Sequence, residues 1–383
     1  MSRVLFLSQR MGDSAFPSGG GSHLAATLAG LGAHFEVHAV TAATDDHAAG
    51  GGARALRRLV PPRVRGLRHD LLLAAADRAF ARRAHAEGRA FRPDVVYERS
   101  EYFASAGLAV ARALEVPLVL EVNGLFVDDA RTMYRSLAEP LGGRLERRKH
   151  RAADAVVTVS TGLARRLIEW GADPERIVVV PNSIDPTRIA EPRPVAPGSG
   201  IVGFVGHLMP WYAHALELLV DAAPELLDAG PDVRFRVVGA GPGLDSLRAR
   251  AAARGVGERF EFTGSVPQGR VPAEVARFDV GLVPPVFSYA FPVKLVEMGA
   301  AGVPVVAPQS RDLDEMLEPG VEYEPFAPDE PGSMTAALRR VLAEPERRAR
   351  LGAALHAAVR ARFTWEVSGN ALAVAIERVL AER

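Results

Sequence analysis

The 383-residue sequence contains no cysteine, which removes disulfides, thiolate metal sites and cysteine nucleophiles together. That fits a reducing compartment. There is no excess of charge either. Basic and acidic residues number 46 each, so no bulk electrostatic argument exists for a nucleic-acid partner or an acidic membrane. No apolar run approaches the ~20 residues of a membrane-spanning helix. The apolar run in MSRVLFLSQRMGD is too short for a secretory signal, so the expectation is a cytoplasmic protein. Lysine is nearly absent: only Lys149 and Lys294 occur, every other basic residue being arginine. Against that bias a lysine at 294 is informative.

What is present is an ordinary globular composition, 48% hydrophobic and 24% charged, on a chain long enough for two or three domains. Short apolar runs alternate with helical patterns in two series. The first has VLFL (Val4–Leu7), FEVHAV (Phe35–Val40), DVVY (Asp94–Tyr97), PLVLEV (Pro117–Val122), AVVTV (Ala155–Val159) and IVVVP (Ile177–Pro181). The second has IVGFVG (Ile201–Gly206), VRFRVVG (Val233–Gly239), RFEFTG (Arg259–Gly264), VGLVP (Val280–Pro284) and VPVVAP (Val303–Pro308). Near-continuous apolar strands alternating with helices predict parallel sheets covered on both faces. The fold class expected is α/β, with two Rossmann-like doubly wound domains facing a cleft. EPRPVAPGSG (Glu191–Gly200) reads as a linker between them, and the Gly- and Arg-rich stretch 42–68 as an excursion of the first domain. The domains expected are residues 1–190, residues 200–363, and a C-terminal helix, 364–383, packing back on the first.

The stretch YAFPVKLVEMGAAGVPVVAP places Lys294 and Glu297 at helical spacing behind Pro292. Proline suits the first helical position, and a helix start offers free N–H groups and partial positive charge to an anion. A lysine in that first turn opposes the helix dipole unless a negative ligand lies near. Glu297 is placed to accept hydrogen bonds from two adjacent hydroxyls, as on a ribose. The bland alternative is an i, i+3 ion pair worth a few tenths of a kcal/mol.

Together with its surroundings this arrangement resembles the donor-binding signature of the retaining GT-B glycosyltransferases of family 4, glycosyl transferases group 1. Here the signature reads EMGAAGVPVVAP, and similarity extends through PSGGGSHLAATLAGL, VYERSEYFASAGLAVARALEVPLVLEVNG, VVTVSTGLARRLIEWG, IVVVPNSIDP, VGHLMPWYAHALELLVDA, RVVGAGPGLDSL and FTGSVP. The resemblance implies a sugar-nucleotide donor held mostly by the second domain. It places the nucleobase against Ser265, Val266 and Pro267, and the diphosphate near Phe291, Pro292, Val293 and Lys294. It places Gly20 and Gly21, read as a loop before a helix, near the diphosphate and the reacting carbon. Departures are specific. The family's first glutamate is replaced by Tyr289, and its arginine–lysine pair after the first strand of this domain by His207 and Tyr212; Trp211 and Lys294 match a branch of the family. Lys294 and the helix start are therefore expected to carry more of the phosphate charge. The glycines of VVGAGPG lack the G-x-G-x-x-G spacing, so a tight structural turn is expected there rather than a dinucleotide fingerprint.

In the first domain, Glu121 and Asn123 lie where an apolar strand reaches its carboxyl end, and many relatives carry a histidine near Asn123. Glu121, Asp128 or Asp129 could serve as a base if inversion occurred; strand-end hydrogen bonding accounts for Glu121 equally well. His23, Glu98, Arg99 and Asp128 are the acceptor-side candidates, His23 facing the cleft from the glycine loop or capping its helix. The resemblance implies transfer with retention, without a metal or resident cofactor, to a small-molecule, lipid or glycan acceptor. A sugar-nucleotide epimerase of the same fold and a non-catalytic sugar-nucleotide-binding protein are the alternatives. The arginines from 54 to 68 and the run RLERRKHR (Arg144–Arg151) are expected to be a solvated face, with peripheral membrane contact as the alternative.

Overall fold

The structure, a computed structural model, describes residues 1–9, 19–41, 65–129, 136, 138–189, 191–192, 200–228, 233–285 and 291–382. The chain divides into two compact units. One comprises Met1–Phe16, Thr27–Pro181 and Ser368–Arg383; the other comprises Pro17–Ala26 and Asn182–Val367. The division after Pro181 precedes the expected linker, of which residues 193–199 lie outside the described residues, as do residues 42–64 of the expected excursion.

The first unit is built on a parallel sheet of β1 (Arg3–Ser8), β2 (Glu36–Thr41), β3 (Val95–Arg99), β4 (Leu118–Val122), β5 (Ala155–Thr158) and β6 (Ile177–Val179), in the order β2-β1-β3-β4-β5-β6. Central strands β3, β4 and β5 are buried at every residue, while edge strands β2 and β6 are partly open. This is why the central strands read as unbroken apolar runs. The order reverses between β1 and β3, which pair in parallel from Val4 opposite Val95 to Leu7 opposite Glu98. In open α/β sheets such a reversal opens a crevice at the carboxyl ends of the strands, where ligands bind. The final helix, Trp365–Ala381, returns the chain to this unit from Ser368, and Gly369 packs so closely on Gly30 that a Cβ would lie 2.7 Å from its Cα.

The second unit has β7 (Gly200–Val205), β8 (Val233–Val238), β9 (Phe260–Gly264), β10 (Val280–Leu282), β11 (Val305–Pro308) and β12 (Glu324–Phe326), in the order β12-β11-β10-β7-β8-β9. Its reversal lies between β7 and β10, paired in parallel at Val202 opposite Val280. One face packs Val202, Phe204, Phe235, Val237, Leu216 and Leu338 into a core; the other packs Val205, Phe278, Leu295, Met298 and Leu355. Strand β12, missed by the sequence reading, contains Pro325 between Glu324 and Phe326. Proline is tolerated there because β12 is an edge strand.

Candidate active site

At the reversal of the second sheet, β10 leads towards Phe291 and the helix Val293–Ala300. Pro292 is the N-cap of this helix, with φ −76° and ψ 124°, rather than its first residue as the sequence suggested. Phe291 is buried against Phe363 with ring centroids 4.9 Å apart, and its carbonyl accepts a hydrogen bond from the Asn182 amide. The helix start is thus fixed by packing behind it and by a side chain from beyond β6.

Lys294 is 9% exposed. Its ammonium lies 4.4 Å from the ring centroid of Phe204 and 3.9 Å from that of Tyr212, a cation–π arrangement. Burial pulls its pKa down to about 7, against the opposing attraction of Glu297. The same burial raises the pKa of Glu297, while Arg188 and Lys294 attract its charged form. With its pKa near 7, the Lys294 ammonium is a group whose charge a neighbouring anion would stabilise. The backbone makes room for the ammonium: Gly206, at φ +151°, would with a Cβ come within 3.2 Å of Nζ.

Beside them is a notch of about 60 Å³ lined by Gly206, His207, Gly239, Ser265, Val266 and Glu297, among others. That is room for a few waters and not for a nucleotide. His207 and Ser265 are exposed there, and Val266 is half-buried. Pro267 is exposed and caps the next turn, Gln268–Arg270, outside the notch lining. The VVGAGPG turn backs this notch. The N–H of Leu208 donates to Ala240 O at 2.9 Å and that of Gly243 to Leu208 O at 2.9 Å. A Cβ on Gly239 would lie 2.0 Å from Gly206 O. These glycines exist so that two strand-end loops can touch, a structural turn as the sequence reading expected.

In the first unit, Glu98, Arg99, Glu121 and Asn123 all lie at the carboxyl ends of β3 and β4. Their side chains are largely engaged with the protein. The Glu121 carboxylate, 2% exposed, accepts from Tyr97 Oη at 2.9 Å and from the Asn123 amide, and lies 3.5 Å from Arg99 Nη1. Glu98 accepts from the Gly107 N–H at 2.9 Å, at the start of the helix Ala106–Leu114, and burial raises its pKa. Both carboxylates therefore organise the strand ends. Lys149, the other lysine, is 1% exposed and donates to Ser100 Oγ at 2.8 Å.

Several expectations are corrected. Gly20 and Gly21 do not form a loop before a helix; they lie in the first turn of the helix Gly19–Gly32. Burial of Leu24, Ala26 and Leu31 outweighs the poor helix propensity of glycine. Their N–H groups still belong to the turn that lacks intrahelical acceptors. His23 lies within that helix and is buried, neither in a loop nor at the cap. Asp128 and Asp129 end the short helix Phe126–Asp129, and Trp211 lies in the helix Pro210–Leu227. Tyr289 falls outside the described residues. The sequence reading missed Asn182 and Arg188, both in the PNSIDPTR segment. Their partners are more than 100 positions away, and the motif itself carried no chemical signal.

With this geometry in place, the comparisons with known proteins are specific. The Glycosyltransferase Family 4 profile matches residues 17–188 and the Glycosyl transferases group 1 profile residues 199–344. Similar curated proteins include the D-inositol 3-phosphate glycosyltransferase of Acidothermus cellulolyticus, 32% identical over 76% of this chain and 68% of that protein. Another is the 2-deoxystreptamine glucosyltransferase of Streptomyces kanamyceticus, 33% identical over 63% of this chain and 65% of that protein. The chain belongs to glycosyltransferase family 4. The match spans 65% of the length of that second relative. Among solved structures, sucrose-phosphate synthase from Thermosynechococcus elongatus superposes with TM-score 0.78 over all of both chains at 17% identity. Anabaena Alr3699/HepE in complex with UDP-glucose does so at 0.70 over 99% of this chain and 100% of that one, at 18% identity. These likenesses establish the GT-B fold.

Proposed function

We propose that the protein moves a hexose from a nucleoside-diphosphate sugar to an acceptor hydroxyl, with retention of configuration. The observation that carries this reading is the gathering of Lys294, Glu297 and the 293–300 helix start at the reversal of the second sheet, beside His207, Ser265 and Val266. The helix N–H groups and the Lys294 ammonium receive the diphosphate, and Glu297 accepts hydrogen bonds from the ribose hydroxyls. His207 and Tyr212 line the approach, and Ser265 and Val266 meet the base. Charge on the departing diphosphate is then met by protein donors, with no metal or resident cofactor required. Relatives act on an inositol phosphate and on 2-deoxystreptamine, by their names; the acceptor here is in the same broad class of hydroxylated small molecules, lipids or glycans.

Retention fits the state of Glu98 and Glu121. Inversion needs a base free to take the acceptor proton. Glu121 and Glu98 are instead engaged by Tyr97, Asn123, Arg99 and Gly107. In front-face transfer the acceptor oxygen bonds to the anomeric carbon as the bond to the diphosphate breaks, and the acceptor proton goes to the departing phosphate oxygen. Positioning and charge stabilisation carry such a step. Arg99 and Asn123 are the acceptor-side groups placed to orient a hydroxyl. Thermal shift against UDP, GDP, ADP and dTDP tests the donor reading, since a ligand of the folded state raises the melting temperature. One of the four should give a saturable rise that Lys294→Met abolishes; no rise with any of them contradicts the proposal.

A further inference from the structure

One face of the first unit has no part in this reading. On the helix Glu139–Ala152, residues Leu141, Arg144, Arg148 and Arg151 follow at spacings of three and four, one stripe of a helix, and all are exposed. Arg147, also exposed, flanks them. The opposite stripe is locked inward. The Glu146 carboxylate accepts from the N–H groups of Phe126 and Val127 at 3.0 and 3.1 Å, and Lys149 and His150 are each 1% exposed. The arginines are therefore held outward by the fold. Four of them, Arg144, Arg147, Arg148 and Arg151, line a concavity of about 420 Å³ whose remaining lining residue is Ala152. Two are braced on Trp170: the Arg147 guanidinium lies 4.9 Å over its ring, and Arg151 Nη2 donates to its carbonyl at 3.3 Å. Among the described residues no carboxylate lines this concavity.

Exposed leucines lie near the start of this stripe. Leu71, Leu72 and Leu141 are 63%, 48% and 51% exposed. They are brought to neighbouring helix ends by Asp70, whose buried carboxylate accepts from Ser136 Oγ at 2.8 Å and from the Ala138 N–H at 2.9 Å. The 139–152 helix runs back towards the start of β5, so Arg151 lies at the amino edge of the sheet. The acceptor-side groups Arg99 and Asn123 lie at the opposite edge. The arginine end of this face lies away from those groups.

We propose that this face docks the protein peripherally on an anionic lipid surface, the arginines meeting headgroup phosphates and the leucines entering the headgroup–acyl boundary. Basic side chains near such a surface and apolar side chains in its boundary region add their effects. A soluble polyanion gives no reason for exposed leucines beside the arginines. A second copy docking by two-fold symmetry would set the same four arginines against themselves.

The test is co-sedimentation of the full chain with vesicles of phosphatidylcholine alone or mixed 7:3 with phosphatidylglycerol, at 0.1 M salt. The expected result is binding to the anionic vesicles that salt weakens, with little binding to the neutral ones. Each arginine contributes about fivefold, so Arg144→Glu with Arg148→Glu should lower partitioning by at least about 25-fold. Arg144→Gln and Arg148→Gln singly, about fivefold each, replace the double variant if its melting temperature falls. Leu71→Ser with Leu141→Ser should weaken binding while leaving its salt dependence. Equal binding to both vesicles, no binding to either, or partitioning unchanged by the arginine variants would overturn the proposal. So would a wild-type dimer that the same variants dissociate in light scattering, which would assign the face to a second copy. The nucleoside-diphosphate thermal shift of each variant is read in parallel, so that failure of docking and failure of the donor reading stay separate.

Discussion

Lys294→Met is the most informative single substitution in the proposed donor site. The side chain stays long and apolar, while the charge over Phe204 and Tyr212 disappears. Burial lowers the lysine pKa from 10.5 to about 7. That lowering corresponds to roughly 5 kcal/mol between the charged group in this site and in water. A diphosphate that restores the ordinary proton affinity recovers up to that amount, about three orders of magnitude in Kd. Two consequences follow. At pH 8 the lysine of the free protein is mostly neutral, so binding takes up close to one proton. Above pH 7 the Kd of the wild type rises by up to tenfold per unit. Calorimetry with the nucleotide sugar found by thermal shift, whose diphosphate does not itself titrate in this range, measures both in buffers of different ionisation enthalpy. Lys294→Met should bind at least about 100-fold more weakly and take up no proton. Stability changes in the other direction. A lysine whose folded pKa is depressed leaves the unfolded chain with more bound protons between about 7 and 10.5, so wild-type stability rises with pH across that window. The variant should lose that slope and be the more stable protein below pH 7. Equal affinities within threefold, or no proton uptake by the wild type at pH 8, would refute the reasoning.

Three further outcomes are expected. Glu297→Gln should weaken nucleoside-diphosphate binding by about 10- to 100-fold, the worth of hydrogen bonds to a charged acceptor, and should reduce discrimination against the 2′-deoxyribose analogue; calorimetry with both nucleotides checks this. Gly239→Ala puts a Cβ 2.0 Å from Gly206 O at a φ of +139°, so denaturant unfolding should show a loss of at least about 3 kcal/mol. Glu121→Gln removes the charge facing Arg99 and should cost about 2–4 kcal/mol of stability, while nucleotide affinity is unchanged and turnover is retained at low temperature. Abolished turnover in a folded Glu121→Gln protein would make Glu121 a base and contradict front-face transfer.

Much of the fold was legible because a strand buried on both faces has little choice of residue. β4, β5 and β7 were visible as largely apolar, Val-rich runs within a residue or two of their observed ends. β12 was missed for the opposite reason. At the sheet edge its proline costs little, and Glu324 is compatible with burial only because Arg340 and Arg347 bind both its oxygens, pairings 16 and 23 positions away. Gly20 and Gly21 misled because glycine marks loops locally, whereas packing further along the helix decides the matter. In the site, Lys294 and Glu297 stood out against an arginine-rich background and an apolar helix. Asn182 and Arg188 did not, since their meaning arises only when the segment after β6 reaches Phe291 and Glu297. Glu98 and Glu121 were visible as polar strand ends, but their engagement with Gly107 and Arg99 depends on the neighbouring elements.

The most direct measurement is a crystal structure of the chain grown with its nucleoside-diphosphate sugar. It should place the diphosphate oxygens on the Lys294 ammonium and the N–H groups that begin the 293–300 helix, with the Glu297 oxygens bridging the ribose hydroxyls. A nucleotide seated elsewhere, with Lys294 still resting on Phe204 and Tyr212, would contradict the assignment.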